Sequence, residues 1–206
     1  MITKNSELER YYIKQYVELH KNNMFNHIGF FLNVGFIAHL VKTTGAKSLL
    51  DYGSGDGKQY TEMEFHNAWG IMPSLYDPAI EEICVLADEQ FDGIICTDVM
   101  EHIPHQNIIP TLIELFNKTT KFIYFNISLK PASKMLPNGE NCHITLESWE
   151  WWVNKIRTAY ELAECPREIA TMQVYTHAYQ QYDTFHVVSE NLIPKIMGDI
   201  NESDNR

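Results

Sequence analysis

Residues 48–57 read Ser-Leu-Leu-Asp-Tyr-Gly-Ser-Gly-Asp-Gly. A short apolar strand runs straight into a turn with glycine at every second position. Glycine lets the backbone turn sharply and approach a neighbour closely, because no Cβ bars the left-handed region. Residues 58–65 can then open a helix. A strand, a glycine turn and a helix start leave backbone N–H groups facing the space beyond the strand's C-terminal end. A dinucleotide-binding turn spaces its glycines as G-x-G-x-x-G. Here one residue fewer separates the second and third glycines. Asp51 also stands two residues before the first glycine, where an acid repels a pyrophosphate and suits an ammonium group.

The rest of the chain supplies the frame such a turn needs. Apolar spacing predicts helices over residues 7–20, 26–42, 108–118 and 148–162, with Gly45 as a left-handed C-cap on the second. Residues 73–77, Phe91–Thr97 and 121–128 read as further strands. Residues 171–179 and 184–190 read as two late strands joined by Gln-Gln-Tyr-Asp. Strands alternating with helices imply an α/β, Rossmann-like fold with a mostly parallel sheet covered on both faces. The late pair implies an antiparallel edge.

The second expected strand, Pro-Ser-Leu-Tyr-Asp, ends in Asp77. A carboxylate there can accept hydrogen bonds from both ribose hydroxyls and disfavours a phosphate on the ribose. Asp51 and Asp77 together describe a site for an adenosine with a cationic amino-acid tail, which is S-adenosylmethionine. The competing reading makes the turn an ordinary loop and Asp51 a helix cap.

The third informative segment is Phe91-Asp-Gly-Ile-Ile-Cys-Thr-Asp-Val-Met-Glu-His-Ile-Pro104. A strand ending in Asp-x-x-Glu-His-Ile-Pro resembles the motif after a central strand in class I S-adenosylmethionine-dependent methyltransferases. With residues 51–57 and Tyr76-Asp77-Pro78 it makes three motifs in that family's order, over roughly residues 46–150. The resemblance implies a sheet of about seven strands with the last antiparallel. It implies that Asp51, Gly53 and Gly55 cradle the methionine part, with Tyr52 and Ser54 in the same turn. Asp77, followed by Pro78, binds the ribose, and Asp98 and Val99 line the cofactor. It also implies a strand between Asp77 and Phe91. Only residues 81–90 remain for it, with Asp88 as the candidate adenine contact.

Methyl transfer is an in-line displacement governed mainly by positioning, and an oxygen or nitrogen acceptor can also require a base. His102, just past the third strand, and His143, on a segment (136–145) expected to overlie the site, are the candidate bases. His102 can equally be a helix-start residue packed on Ile103-Pro104. The first reading assigns no metal. The alternative takes Asp98, Glu101, His102 and His143 as ligands of a divalent ion, as in metal-assisted RNA-end methyltransferases, which the motif also resembles. Trp149, Trp151 and Trp152 are either an aromatic wall or, at helical spacing, core. Phe25, Phe30, Phe31 and Phe36 are expected in the core. His20, His27 and His39 receive no role.

Composition narrows the partners. A net charge of −11, with 16 scattered basic residues, argues against nucleic acid and against an anionic membrane. No run of apolar residues is long enough to span a bilayer, and Met1 to Arg10 lacks a signal core. Cys84, Cys96, Cys142 and Cys165 contain no CxxC pair and are expected as free thiols, with Cys84 and Cys96 in apolar surroundings. These features point to a cytoplasmic protein. One methyltransferase domain is expected over 1–200: a helical cap at 1–45, a cofactor core at 46–150, and acceptor-side elements with the final strand pair at 150–195. Residues 201–206 are an expected frayed tail. The expected function is transfer of a methyl group, releasing S-adenosylhomocysteine, to a small-molecule acceptor. A weaker likeness to enzymes of metabolites and surface sugars makes a sugar or glycan precursor a candidate. A non-catalytic cofactor-binding module is the rival from another class. The Tyr- and Gln-rich segment 171–190 is a candidate pocket wall or homodimer edge.

Overall fold

Leu49, Leu50, Asp51 and Tyr52 are all buried, because the strand they form is central. This strand, β1 (Leu49–Tyr52), pairs in parallel with β2 (Ser74–Tyr76) on one side and β3 (Phe91–Thr97) on the other. The computed structural model describes residues 7–22, 28–165, 169–176 and 182–187. Within them β4 (Thr119–Ser128) and β5 (Ala170–Thr176) extend the parallel sheet, and β6 (Tyr182–Val187) closes it antiparallel to β5. The order is β2-β1-β3-β4-β5-β6. The described residues thus hold six strands where about seven were expected. The expected antiparallel edge is present.

Alternate residues of β1, β3 and β4 face opposite layers, and both layers are apolar, as a buried parallel sheet requires. Leu50, Ile94, Ile123, Phe125 and Ile127 face α4 (His105–Lys118) and α5 (Trp149–Leu162), meeting Leu112, Leu115, Phe116, Trp152 and Ile156. Leu49, Ile95, Phe122 and Tyr124 face α2 (Val34–Thr44) through Ile37, Leu40 and Val41. Gly93 is required at the crossing, since a Cβ there would sit 2.2 Å from the Phe122 ring.

Several boundaries differ from expectation for local reasons. The helix expected over 26–42 starts as a 3-10 turn (Ile28–Asn33) before α2. Gly45 ends α2 at φ 62°, as expected. The helix expected over 58–65 is a single turn, α3 (Lys58–Thr61), because Glu64 takes a left-handed φ of 53° and breaks it. No strand forms in 81–90. The chain folds back there instead, with the Asp77 N–H donating to the Ile83 carbonyl at 3.1 Å and a 3-10 turn over Glu81–Ile83. Phe31 is 62% exposed rather than core, and Cys84 is exposed rather than buried. The four thiols are free. Phe25, His27, the 201–206 tail and residues 188–190 of the late strand lie outside the described residues. Among the described residues, no helix is long and apolar enough to cross a membrane.

Candidate functional site

A cavity of about 310 Å3 opens at the C-terminal ends of β1, β2 and β3. Parallel sheets place ligands there because the strand-to-helix turns diverge at that edge. Its floor is the glycine turn. Gly53 and Gly55 sit at φ 81° and 58°, and the N–H groups of Gly53 and Ser54 both donate to the Tyr76 carbonyl, at 2.7 and 3.1 Å. A Cβ on Gly53 would lie 2.3 Å from Val99 Cγ2, so only glycine lets the turn pass the β3 exit.

Of the nine expected cofactor residues, Tyr52, Gly53, Ser54, Gly55, Asp77, Pro78, Asp98 and Val99 line this cavity, and Asp51 does not. Asp51 is fully buried behind the turn, where its Oδ2 accepts from Tyr60 Oη at 2.7 Å and Gln59 Nε2 at 3.1 Å. Burial pushes its carboxyl up to about 6, against the lowering effect of these donors. Gln59 is the residue that reaches the cavity wall. Its Nε2 also donates to the Ser54 carbonyl at 2.8 Å, while its buried Oε1 has no partner.

Asp77 anchors the turn. Its Oδ2 accepts the Gly55 N–H at 3.0 Å, and its Oδ1 accepts the Ala79 N–H at 2.9 Å. A carboxylate has about four lone-pair positions, so each oxygen keeps one for the cavity. Asp98 follows β3 in a left-handed conformation, φ 54°, which Asp tolerates. Its N–H donates to the Asn126 carbonyl, and its Oδ1 accepts from Asn126 Nδ2 at 3.2 Å. The enclosing protein pushes its carboxyl up to about 6. The face it keeps open to the cavity tempers that rise.

The roof is α1 (Glu7–Lys21), through Glu9, Tyr12, Ile13, Tyr16 and His20. Sequence reasoning gave these no role, although 9, 13, 16 and 20 fall on one helical face. Tyr16 Oη donates to the Cys142 carbonyl at 2.8 Å, with the His102 carbonyl at 3.2 Å. His20 Nε2 stands 4.0 Å from Asp77 Oδ2. The 136–145 segment packs against α1 through Leu136 and Cys142, so it lies beside the cavity rather than over it.

His102 lines the cavity, and His143 stands behind it with ring centroids 4.9 Å apart. Burial is the main cause that lowers both imidazoles, His102 to about 3. Glu101 is wholly buried. Its Oε1 accepts the Ser128 N–H at 2.9 Å, its Oε2 has no partner, and burial holds its carboxyl well above the usual range. Of the four alternative metal ligands, Glu101, His102 and His143 come together, and Asp98 is outside that group. Asp88 is fully exposed beside Lys118 and away from the cavity, so it is not placed to meet an adenine there. Trp152 is core, and Trp149 and Trp151 pack against that core rather than lining the cavity. Compared with known proteins, the chain matches no family model, no curated protein and no solved structure.

Proposed function

We propose that the cavity binds S-adenosylmethionine and that the chain transfers its methyl group to a small-molecule acceptor. The observation that carries this reading is the chemistry of the lining. Three carboxylates, Glu9, Asp77 and Asp98, face a glycine turn, and among the described residues no lysine or arginine lines the cavity. A pyrophosphate-bearing nucleotide needs the opposite charge. An adenosine with a cationic tail suits this one. The seven-strand methyltransferase architecture and a cytoplasmic setting belong to the same proposal.

The residues present fit that ligand. Asp77 keeps a lone pair on each oxygen for the two ribose hydroxyls. Gln59 borders the cavity, and its unpartnered Oε1, closed off in the unliganded chain, would accept from the ammonium group once the side chain turns toward the cavity. Asp51 is then a positioning residue, fixing the Gln59 amide through Nε2. When bound, the cofactor supplies an electrophilic methyl on a sulfonium. The chain's own contribution is alignment under α1 and exclusion of water. An acceptor that must lose a proton has Asp98 beside it. Asp98 is open to the cavity with its carboxyl raised toward neutrality, whereas burial lowers the His102 imidazole, so Asp98 is the better-matched base. The same acidic lining disfavours a polyanionic acceptor such as an RNA end and suits a neutral one such as a sugar.

Calorimetry tests the reading. The wild-type protein is expected to bind S-adenosylmethionine and S-adenosylhomocysteine and not NAD. In Gln59→Leu, loss of a hydrogen bond to a charged group should weaken S-adenosylmethionine about tenfold to hundredfold, with adenosine unaffected. Folded wild-type protein that binds neither sulfur nucleoside overturns the proposal. Once binding is established, labelled-methyl transfer to candidate acceptors tests turnover.

A further inference from the structure

His102 and His143 come from different parts of the chain, the turn after β3 and the 136–145 segment, yet their rings meet edge to face. One nitrogen of each ring and a carboxylate oxygen of Glu101 lie within 4.8 Å of one another. Each imidazole gives its Nδ1–H to a backbone carbonyl, His102 to Cys142 at 2.8 Å and His143 to Lys130 at 2.6 Å. A carbonyl only accepts, so both Nδ1 atoms carry the proton and both Nε2 atoms carry a lone pair. Holding one ring nitrogen on a carbonyl while the other stays bare is how proteins orient imidazoles toward a metal.

Glu101 adds an independent observation. It is 0% exposed, Ser128 N–H occupies Oε1, and Oε2 is buried with no partner. An ionised carboxylate left so is costly, and a protonated one would donate to nothing. A cation answers both conditions.

The geometry points to a divalent-cation site formed by Glu101, His102 and His143. Two neutral imidazoles and one carboxylate suit ions of borderline softness, Zn2+, Fe2+ or Co2+, ahead of the harder Mn2+. With metal–ligand bonds of about 2.1 Å, binding draws the three side chains inward by up to about 1 Å. Three protein ligands leave coordination positions open, and His102 is the ligand that lines the cavity. A hydroxyl or carboxylate oxygen of the acceptor is the chemistry that fits the open side. The ion also makes His102 and His143 ligands rather than proton acceptors. The site stands without the nucleoside reading, and only its role toward the acceptor rests on it.

The test is direct binding of metal alone. Chelator-stripped full-length protein is titrated with Co2+, read by visible absorption, and with Zn2+ and Mn2+ by calorimetry, in the absence of any nucleoside. One ion per chain is expected. His143→Ala and Glu101→Gln should each lose at least about tenfold to hundredfold in affinity, which is what removal of mere supporting partners costs. His105→Ala, which removes an exposed imidazole at another place, should bind as wild type. Circular dichroism checks the fold. Should Glu101→Gln fail to fold, His143→Ala decides alone, since His143 is only half-buried. No binding by wild type, or equal binding by His143→Ala, overturns the site. Calorimetry with S-adenosylmethionine in the presence of chelator reads the cofactor proposal separately.

Discussion

Asp77→Asn separates two roles that one carboxylate plays. Both Asp77 oxygens accept backbone N–H groups, Gly55 through Oδ2 and Ala79 through Oδ1. Asparagine offers one oxygen and one NH2. Whichever way the amide turns, a donor faces a donor at 2.9–3.0 Å. Asp77 is 7% exposed, so water compensates little. One unsatisfied buried N–H costs about 1–3 kcal/mol. For a chain of this size each kcal/mol lowers the melting temperature by about 2–4 °C, so a fall of roughly 2–12 °C is expected. The same exchange removes one acceptor for the ribose hydroxyls. Adenosine affinity should fall roughly tenfold to hundredfold, the value of a hydrogen bond to a charged group.

Thermal melts and adenosine calorimetry on the same preparations read the two effects. A fall in stability with unchanged adenosine binding leaves Asp77 as an anchor of the glycine turn and refutes its ribose role. Unchanged melting together with unchanged binding refutes both arguments, including the premise that the turn depends on this carboxylate.

Two further perturbations test the floor of the cavity. Gly53→Ala places a Cβ 2.3 Å from Val99 Cγ2 at φ 81°. The left-handed conformation costs about 1–2 kcal/mol and the overpacking about 1–3. Urea unfolding should show the combined loss, and adding Val99→Ala should return only the packing part; full recovery would show that the backbone is not strained there. Asp51 titrates at about 6 in the folded chain against an ordinary 3.8. Its contribution to stability is therefore present below about pH 4 and is lost as pH rises through about 6, a change near 3 kcal/mol. The amide oxygen introduced by Asp51→Asn can still accept from Gln59 and Tyr60, so this variant should gain on wild type by about that amount between pH 4 and 7. A pH-independent difference in urea unfolding would contradict the burial argument.

The segments legible in the sequence were those whose chemistry is local. The turn at 53–57 needs glycine whatever surrounds it, and β3 matches its expected bounds because an apolar, Ile-rich run between Asp92-Gly93 and Asp98 has no competing reading. Asp77, Asp98 and His102 were found because a strand end fixes where the next residue stands. What stayed hidden depends on contacts distant in sequence. Nothing in residues 7–20 says that this helix roofs the cavity, because its partners are Cys142, Asn138 and Asp77. The sequence places Asp51 near the ligand, directly or through a water, and does not show Gln59 and Tyr60 closing over it. The helix expected at 58–65 failed on a backbone event at Glu64, and the strand expected at 81–90 failed because the chain returns to cap Asp77. The helical spacing of Trp149, Trp151 and Trp152 favours core over an aromatic wall, and the packing of α5 on α4 decides for core.

The cavity's electrostatics form one system. Asp51 and Asp98 stand at the C-terminal ends of neighbouring parallel strands, and Glu101 follows within one turn. β4 holds them in place, Asn126 bonding Asp98 and the Ser128 N–H bonding Glu101. Burial raises the Asp51 and Glu101 carboxyls, and the surrounding protein raises Asp98 less, because it keeps a face open to the cavity. Each is less stable ionised here than in water, and the Asp98 carboxylate adds like-charge repulsion at Glu101, while Lys130 eases the cost at Asp98. A fold selected for stability alone would replace such groups with apolar ones, often without loss. Keeping them makes physical sense where the ligand brings the missing positive charge. The two proposals place such charges at separate points: a cationic nucleoside over the glycine turn, and an ion between Glu101 and the two imidazoles. On the proposed function, the carboxylates that line the cavity, Glu9, Asp77 and Asp98, favour a cationic nucleoside over the commoner anionic nucleotides.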